Sequence, residues 1–248
     1  MAKVHLIEYT GKGRSDQKWH AADVLIFTKN TRLNMDPAGF EAIAGWTEER
    51  KTAELAYMST TLPSSWEFVD LTFLVQGVTR AIAQQMTRTR NASYAMQAQR
   101  VVNIAEANVR DPFEDRPELS DIFKNGVTLA KDTYTELVDG GAKLEEARAI
   151  MPIHTECNLC VKYNMRALTE LARKRDSIRV QGEYVDIVAQ MRSLVIETWP
   201  WAAPFFQHPN EAAINILKDI VKELALEVKP GEGIGWRMAK AIDLIKNG

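Results

Sequence analysis

The chain has 248 residues, of which 46% are hydrophobic and 26% charged, and its net charge is −2 at pH 7. A chain of this size can bury a substantial core, and we expect one domain over residues 1–248. The near-neutral charge argues against a nucleic-acid-binding protein, because such proteins usually carry a basic excess over a whole domain. Any anion-binding site must therefore be local.

Membrane and secreted proteins are also disfavoured. No apolar run reaches the roughly 18 residues that span a bilayer, and the first residues lack the apolar region of a signal peptide. The two cysteines, Cys157 and Cys160, are too close in sequence to staple a fold, which is typical of a reducing compartment. We therefore expect a cytoplasmic protein that does not bind membranes.

The first part of the chain is predicted as one strand followed by two helical stretches. Polar and apolar residues alternate in KVHLIEY (3–9), which predicts the strand. Helical spacing follows in WHAADVLIFTKNTRL (19–33). A second helical stretch begins at the DPAGF signal (36–40) and runs to about Met58.

The remainder is predicted to be mostly helical. FVDLTFLVQG (68–77) is rich in β-forming residues, VTRAIAQQMTRTR (78–90) has the helix period, and DPFEDRPELS (111–120) is a polar loop. Further helices are predicted at Asp121–Val138, Val161–Arg175, Gly182–Glu197 and Glu211–Leu226, with a short basic tail helix after the last. The predicted fold class is α+β, a helix-rich single domain with a small central sheet.

One segment, residues 71–105, contains no Asp, Glu or Lys but has four arginines, Arg80, Arg88, Arg90 and Arg100. A single surface arginine is usually a solvated charge. A solubilising surface would mix in lysine and carboxylates, however, and the rigid fork of arginine suits a phosphate or a nucleobase oxygen. The segment therefore predicts an anion site.

A second basic group of residues lies downstream. Arg148 precedes a proline that ends a helix, and Asn164 and Arg166 lie at the start of another. Arg173 and Lys174 lie near a helix C-terminus, where cations complement the helix dipole without any ligand. Arg166 gains nothing from the dipole at its end of the helix, so a bound anion or a buried partner must balance it.

These motifs resemble those of the flavin-dependent thymidylate synthases. The family signature is Arg-His-Arg, seven residues, then a Ser closely followed by Arg, after a stretch like FTFEIEGVSRACSHQ. Here LTFLVQGVTRAIAQQMTRTR (71–90) keeps that register without a gap, and NASYAMQAQR (91–100) follows. Later family motifs are met by ARAIMP, NMRAL, KR, QGE and PW. The resemblance runs from about Val4 to Phe206.

The resemblance implies a homotetramer with FAD bound at the subunit junctions. Its reaction transfers the methylene group of methylenetetrahydrofolate to C5 of deoxyuridylate, which converts dUMP to dTMP. NADPH reduces the flavin, and the reduced flavin supplies the hydride.

The resemblance also implies the site residues. Carried over by position, the flavin contacts are Arg88, Arg90, Asn164 and Arg166. The nucleotide contacts are Gln85, Gln99, Arg100, Arg148 and Arg175. Arg100 and Arg148 are expected on the 5′-phosphate, and Arg175 is expected to be catalytic at the pyrimidine carbonyl, where negative charge develops.

Several signature positions differ from the family pattern. Thr89 replaces the signature His, Ala98 replaces the signature Ser, and Ala95-Met96 replaces an Asn-Glu pair. Further departures are Phe68, Val101, Glu170 and Arg179. Because sites that hydrogen-bond a substrate edge discriminate strongly, these changes indicate an altered base or product. The alternatives are methylation or hydroxymethylation of dUMP or dCMP, and a non-catalytic nucleotide-binding paralogue.

Two other interpretations are weaker. HTECNLC brings together His154, Glu156, Cys157 and Cys160, but a single CxxC without a second pair is a poor zinc pattern, so we expect no metal. A nucleic-acid-binding module could place the arginines on a phosphate backbone, but the near-neutral charge disfavours it.

Overall fold

A computed structural model describes residues 1–31, 35–175 and 182–207. Within these ranges, three short 3₁₀ helices, Pro63–Phe68, Arg148–Ile150 and Pro200–Phe206, supplement the main elements. In chain order these are β1 (Lys3–Tyr9), α1 (Gln17–Lys29), α2 (Pro37–Ala44), α3 (Glu48–Met58), β2 (Asp70–Thr79), α4 (Arg80–Met86), β3 (Ala92–Met96), α5 (Pro117–Asp139), α6 (Leu144–Ala147), β4 (Glu156–Asn164), α7 (Met165–Arg175) and α8 (Gly182–Thr198).

The four strands form one antiparallel sheet in the order β1-β2-β4-β3. Alternate residues of its two central strands are buried, as expected for a sheet with one face against the core. Helix α8 packs on β1 and α7 packs on β4. Beside them Trp199 stacks on Trp201 at 5.3 Å between ring centroids, and the indole nitrogen of Trp201 donates to the carbonyl of Lys18.

A bulge in β2 determines where α4 begins. The register of β2 against β4 shifts between Val75 and Val78, and Gly77 within the shift has φ 65°, a conformation that glycine adopts at little cost. Thr79 then caps α4, because its hydroxyl oxygen accepts from the amide of Ile82. Arg80, the first arginine of the segment 71–105, therefore lies directly after the end of a central strand.

The predicted α+β class with a small sheet is confirmed. The predicted helix over Val161–Arg175 is wrong at its start, because residues 156–164 pair with β2 as a strand and α7 begins at Met165. The apolar residues of this strand alternate up to the start of α7, and the predicted helix wrongly included the last residues of the strand. The helix predicted for residues 78–90 ends at Met86, and the sequence analysis missed β3.

Two helix boundaries also differ from prediction. The stretch expected up to Met58 is divided into α2 and α3, because Gly45 ends the first helix and Thr47 caps the second. Helix α5 begins at Pro117 rather than Asp121, since proline fits the first turn of a helix. The helices predicted after residue 210 lie outside the described residues, and the single-domain prediction for residues 1–248 stays a prediction. None of the helices described is long and apolar enough to cross a membrane.

Candidate active site

A cleft of about 450 Å³ opens between the end of α4 and the face of α7. Four cationic side chains and one carboxylate are among its lining residues, so it carries a strong positive charge. We call it the first cleft, and it is lined by Arg88, Thr89, Arg90, Asn91, Ala167, Glu170, Leu171, Lys174 and Arg175. The sequence-predicted Arg88, Arg90 and Arg175 therefore come together here.

Tyr94 fixes the loop that carries Arg88 and Arg90. Its hydroxyl lies 2.6 Å from the carbonyl oxygen of Met86 and 3.1 Å from that of Thr89. The hydroxyl of the fully buried Tyr163 lies 3.3 Å away and can donate to Tyr94. Burial raises the pKa of both phenols, so both remain neutral donors. The helix end and the loop are thereby fixed, while both arginine side chains stay exposed.

Arg175 is the innermost cation of the first cleft. Its guanidinium lies 4.3 Å from the ring centroid of the buried Tyr184, and its Nε is buried without a hydrogen-bond partner among the described residues. Arg173 differs, because it donates to the carbonyl of Phe205 at 2.9 Å, and burial lowers its pKa. A carbonyl partner thus adds to the dipole explanation given for Arg173.

Arg166 and Asn164 have partners within the chain. Arg166 forms ion pairs with Glu170 at 2.9 Å and with Glu67 at 2.6 Å, and the hydrogen bonds that it donates to Glu170 and, to a smaller extent, to Glu67 raise its pKa. The Asn164 side-chain oxygen accepts from the amide of Ala167, which caps α7. Neither residue is among those that line the first cleft, so their flavin contacts stay a prediction.

A second cleft, of about 440 Å³, lies at the other end of α4. The Gln99 side chain is 7% exposed, and its amide nitrogen has no hydrogen-bond partner among the described residues. Arg148 donates to the backbone carbonyl of Glu145, whose carboxylate pairs with Arg100 at 2.9 Å. The residues that line this second cleft are Arg80, Gln99, Glu145, Arg148, Ala149, Met151, Pro152 and Ile153.

The predicted nucleotide contacts are divided between the two clefts. Gln99 and Arg148 line the second cleft, whereas Arg175 lines the first. Arg100 lies on the surface and pairs with Glu145, and the half-buried Gln85 lies on α4 outside both sets of lining residues. The two clefts share no lining residue. One chain therefore does not bring all five residues into a single cleft.

A partly buried ion network that sequence reasoning missed joins three elements near the two clefts. Arg110 binds Glu156 and Glu183, each at 2.6 Å, and Glu183 accepts from both the amide and the hydroxyl of Thr79. These contacts join the end of β2, the start of β4 and the first turn of α8. Arg110 carried no sequence signal, because its partners lie 46 and 73 positions away in the chain.

The suggested metal site is not assembled. Strand alternation places Cys157 and Cys160 on opposite faces of β4, and Glu156 is engaged by Arg110. Burial raises the pKa of the Cys157 thiol. Within the described ranges, no three or more His, Cys, Asp or Glu side chains form a group that could hold a metal ion.

Residues 5–201 match the family described as thymidylate synthase complementing protein. The chain belongs to this family.

Relatives of the thymidylate synthase complementing family carry the name flavin-dependent thymidylate synthase. The protein from Haloarcula marismortui is 27% identical over 61% of this chain and 73% of its own length. The protein from Geobacter sulfurreducens is 30% identical over 56% of this chain and 61% of its own length. The protein from Clostridium tetani is 26% identical over 86% of this chain and 88% of its own length. These relatives confirm the resemblance to the flavin-dependent thymidylate synthases.

Departures from the family pattern line the first cleft and lie beside the second. Thr89 lines the first cleft, as does Glu170. Met96 contacts Arg80 of the second cleft, and Ala98 and Val101 are exposed beside it in the chain. Arg179 lies outside the described residues.

Proposed function

We propose that this protein is an enzyme, a flavin-dependent thymidylate synthase that converts dUMP to dTMP. The observation that supports it best is the cationic first cleft in a chain that belongs to this family. Methylenetetrahydrofolate supplies the one-carbon unit and NADPH supplies the electrons, as the resemblance implies. The relatives' name favours this reaction over the dCMP and hydroxymethylation alternatives.

The first cleft suits a flavin nucleotide. Its lining has four cations, Arg88, Arg90, Lys174 and Arg175, against the single carboxylate of Glu170, and this excess matches the charge of the FAD diphosphate. Arg88 and Arg90 have no carboxylate partner among the described residues, and Tyr94 fixes the loop that carries them. Bound FAD would supply the redox chemistry, while these residues bind and orient it.

The second cleft suits the nucleotide substrate. Gln99 offers a buried amide group without a partner in the described chain, and Arg148 offers a charge for phosphate. Arg175 is the predicted catalytic residue, because a cation at the pyrimidine carbonyl stabilises the negative charge that develops there. The buried Nε of Arg175 has no hydrogen-bond partner among the described residues, so it is available to donate to that carbonyl.

A homotetramer would explain why these residues lie in two clefts. We assign the first cleft of one subunit and the second cleft of its neighbour to one active site at their junction. Helix α5 supports such assembly, because it exposes large apolar side chains along its length, including Ile122 and Leu129, which are 70% and 69% exposed. The cytoplasmic location stays a prediction.

The purified protein should be yellow, or become so with FAD. A flavin absorbance band that shifts on binding, together with binding of dUMP, supports the enzyme. Protein that binds dUMP but no flavin would instead be the non-catalytic nucleotide-binding paralogue.

A further inference from the structure

We infer that Arg80 is a further substrate-binding residue, which holds the 5′-phosphate of the nucleotide together with Arg148 in the second cleft. The family resemblance assigns no role to Arg80. The inference rests on the proposed function, because it takes the ligand to be a pyrimidine nucleoside monophosphate.

The backbone of Arg80 is held firmly. Its amide donates to the carbonyl of Thr155 at 3.1 Å, and the next amide, that of Ala81, donates to the carbonyl of Ile153 at 3.2 Å. Thr79 before it is fully buried and bound by Glu183. The side chain of Arg80 therefore projects from a rigid point at the edge of the cleft, which limits the entropy lost when it binds a ligand.

The guanidinium of Arg80 lacks a charged partner. It lies 3.8 Å from the sulfur of Met96, and it forms no ion pair with any residue in the described ranges. At the position of Met96 the family pattern has Glu, so this chain has lost a carboxylate beside Arg80. A half-buried cation without a counter-ion favours an anionic ligand.

The surroundings of Arg80 fit a phosphate. Arg148 lines the same cleft, and its Nε meets a backbone carbonyl rather than a carboxylate. Two guanidinium groups in one cleft repel each other unless an anion lies between them, and the Glu145 carboxylate that also lines the cleft is paired with Arg100. The buried Gln99 side chain, with its unpartnered amide nitrogen, provides a third donor in the same cleft.

Arg100 is less suited to this role in the structure. Its side chain is 66% exposed and its Nε binds Glu145 at 2.9 Å, so a phosphate would have to displace an existing ion pair. Arg80 needs no such exchange. We therefore expect Arg80 to contribute more to phosphate binding than Arg100.

The test compares dUMP with deoxyuridine, which lacks the phosphate, by titration calorimetry on the full-length protein saturated with FAD. For Arg80→Met we expect the Kd of dUMP to rise about 10- to 100-fold, with the Kd of deoxyuridine unchanged. Arg14→Met removes an exposed arginine that pairs with Asp16, and it serves as the control.

Either of two results would overturn the inference. One is Arg80→Met protein that binds dUMP as tightly as the unaltered chain. The other is an equal loss of affinity for dUMP and for deoxyuridine, which would mean that Arg80 only supports the structure. Failure of the proposed function has a different signature, since the unaltered chain would then bind no dUMP or, as the non-catalytic paralogue, would bind dUMP but no flavin.

Discussion

Glu170 accepts a hydrogen bond from Nε of Arg166 at 2.9 Å and also lines the first cleft. The same carboxylate thus neutralises one predicted flavin contact and opposes the cations of the cleft. The family pattern has Asn at this position, so the charge is a feature of this chain.

Replacing Glu170 by Gln should strengthen FAD binding. Removal of one negative charge at several ångströms from a diphosphate in a solvated cleft is worth about 1 kcal/mol, which gives roughly a 5-fold lower Kd. Fluorescence titration of FAD measures this, and the gain should shrink in high salt. Glu67→Gln is the matched control, because Glu67 also pairs with Arg166 but does not line the cleft. Weaker FAD binding by Glu170→Gln would contradict this account of the charge.

Tyr94→Phe should weaken FAD binding because the loop with Arg88 and Arg90 loses its hydroxyl contacts. The change also leaves the buried Tyr163 hydroxyl without its partner, at a cost of about 1–3 kcal/mol in unfolding free energy. Flavin titration and urea unfolding measure the two effects separately.

The double variant Tyr94→Phe/Tyr163→Phe distinguishes the effect of Tyr94 on the position of the loop from its effect on stability. It removes the orphaned hydroxyl, so the free energy of unfolding should recover in part while FAD binding stays weak. Recovery of FAD binding in the double variant would mean that Tyr94 acts only on stability.

Lys51→Met should destabilise the fold strongly. Lys51 and Asp23 join α3 to α1 as an ion pair of 2.6 Å, with side chains 5% and 2% exposed. Loss of the lysine strands a buried carboxylate, which costs about 3–5 kcal/mol. Urea unfolding at pH 7 measures the loss. The double variant Asp23→Asn/Lys51→Met leaves no charge, so it should be clearly more stable than Lys51→Met.

The same pair predicts a dependence on pH. Burial raises the pKa of Asp23 in the folded chain, while the hydrogen bond and charge of Lys51 oppose that rise. Without Lys51 the carboxyl is favoured in the folded state only when protonated. The destabilisation should therefore be small in acid, near the ordinary pKa of a carboxyl group, and grow as pH rises through the raised folded-state pKa. A pH-independent loss would contradict the assignment.

A site formed between subunits predicts complementation. Arg148→Met and Arg175→Met should each reduce activity severely, because they damage the second and first cleft respectively. Mixed and reassembled, the two variants should recover roughly a quarter of normal activity, since random pairing joins two intact clefts at one junction in four. No recovery in confirmed mixed oligomers would place both clefts in the site of a single chain.

The sequence predicted the class of the fold and much of the local chemistry. Arg166 was expected to need a bound anion or a buried partner, but its partner one helical turn along is the partly exposed carboxylate of Glu170. Glu67 could not be foreseen, because its contact spans 99 positions and depends on how the 3₁₀ helix Pro63–Phe68 packs on α7. Strand β4 was not predicted, because its alternating apolar residues are followed at once by the helical spacing of α7.

The division of the predicted nucleotide contacts could not be foreseen either. Motif spacing along the chain indicates which residues share a reaction, but it does not say which subunit supplies them. The separation of Gln99 and Arg148 from Arg175 emerges only when α4 is placed between the two clefts.

The central claim is tested most directly by incubating the purified, FAD-loaded protein with dUMP, methylenetetrahydrofolate and NADPH, and analysing the nucleotide by mass spectrometry. The account predicts dTMP, with no product when either FAD or methylenetetrahydrofolate is omitted. Flavin-saturated protein that binds dUMP yet returns it unchanged would contradict it.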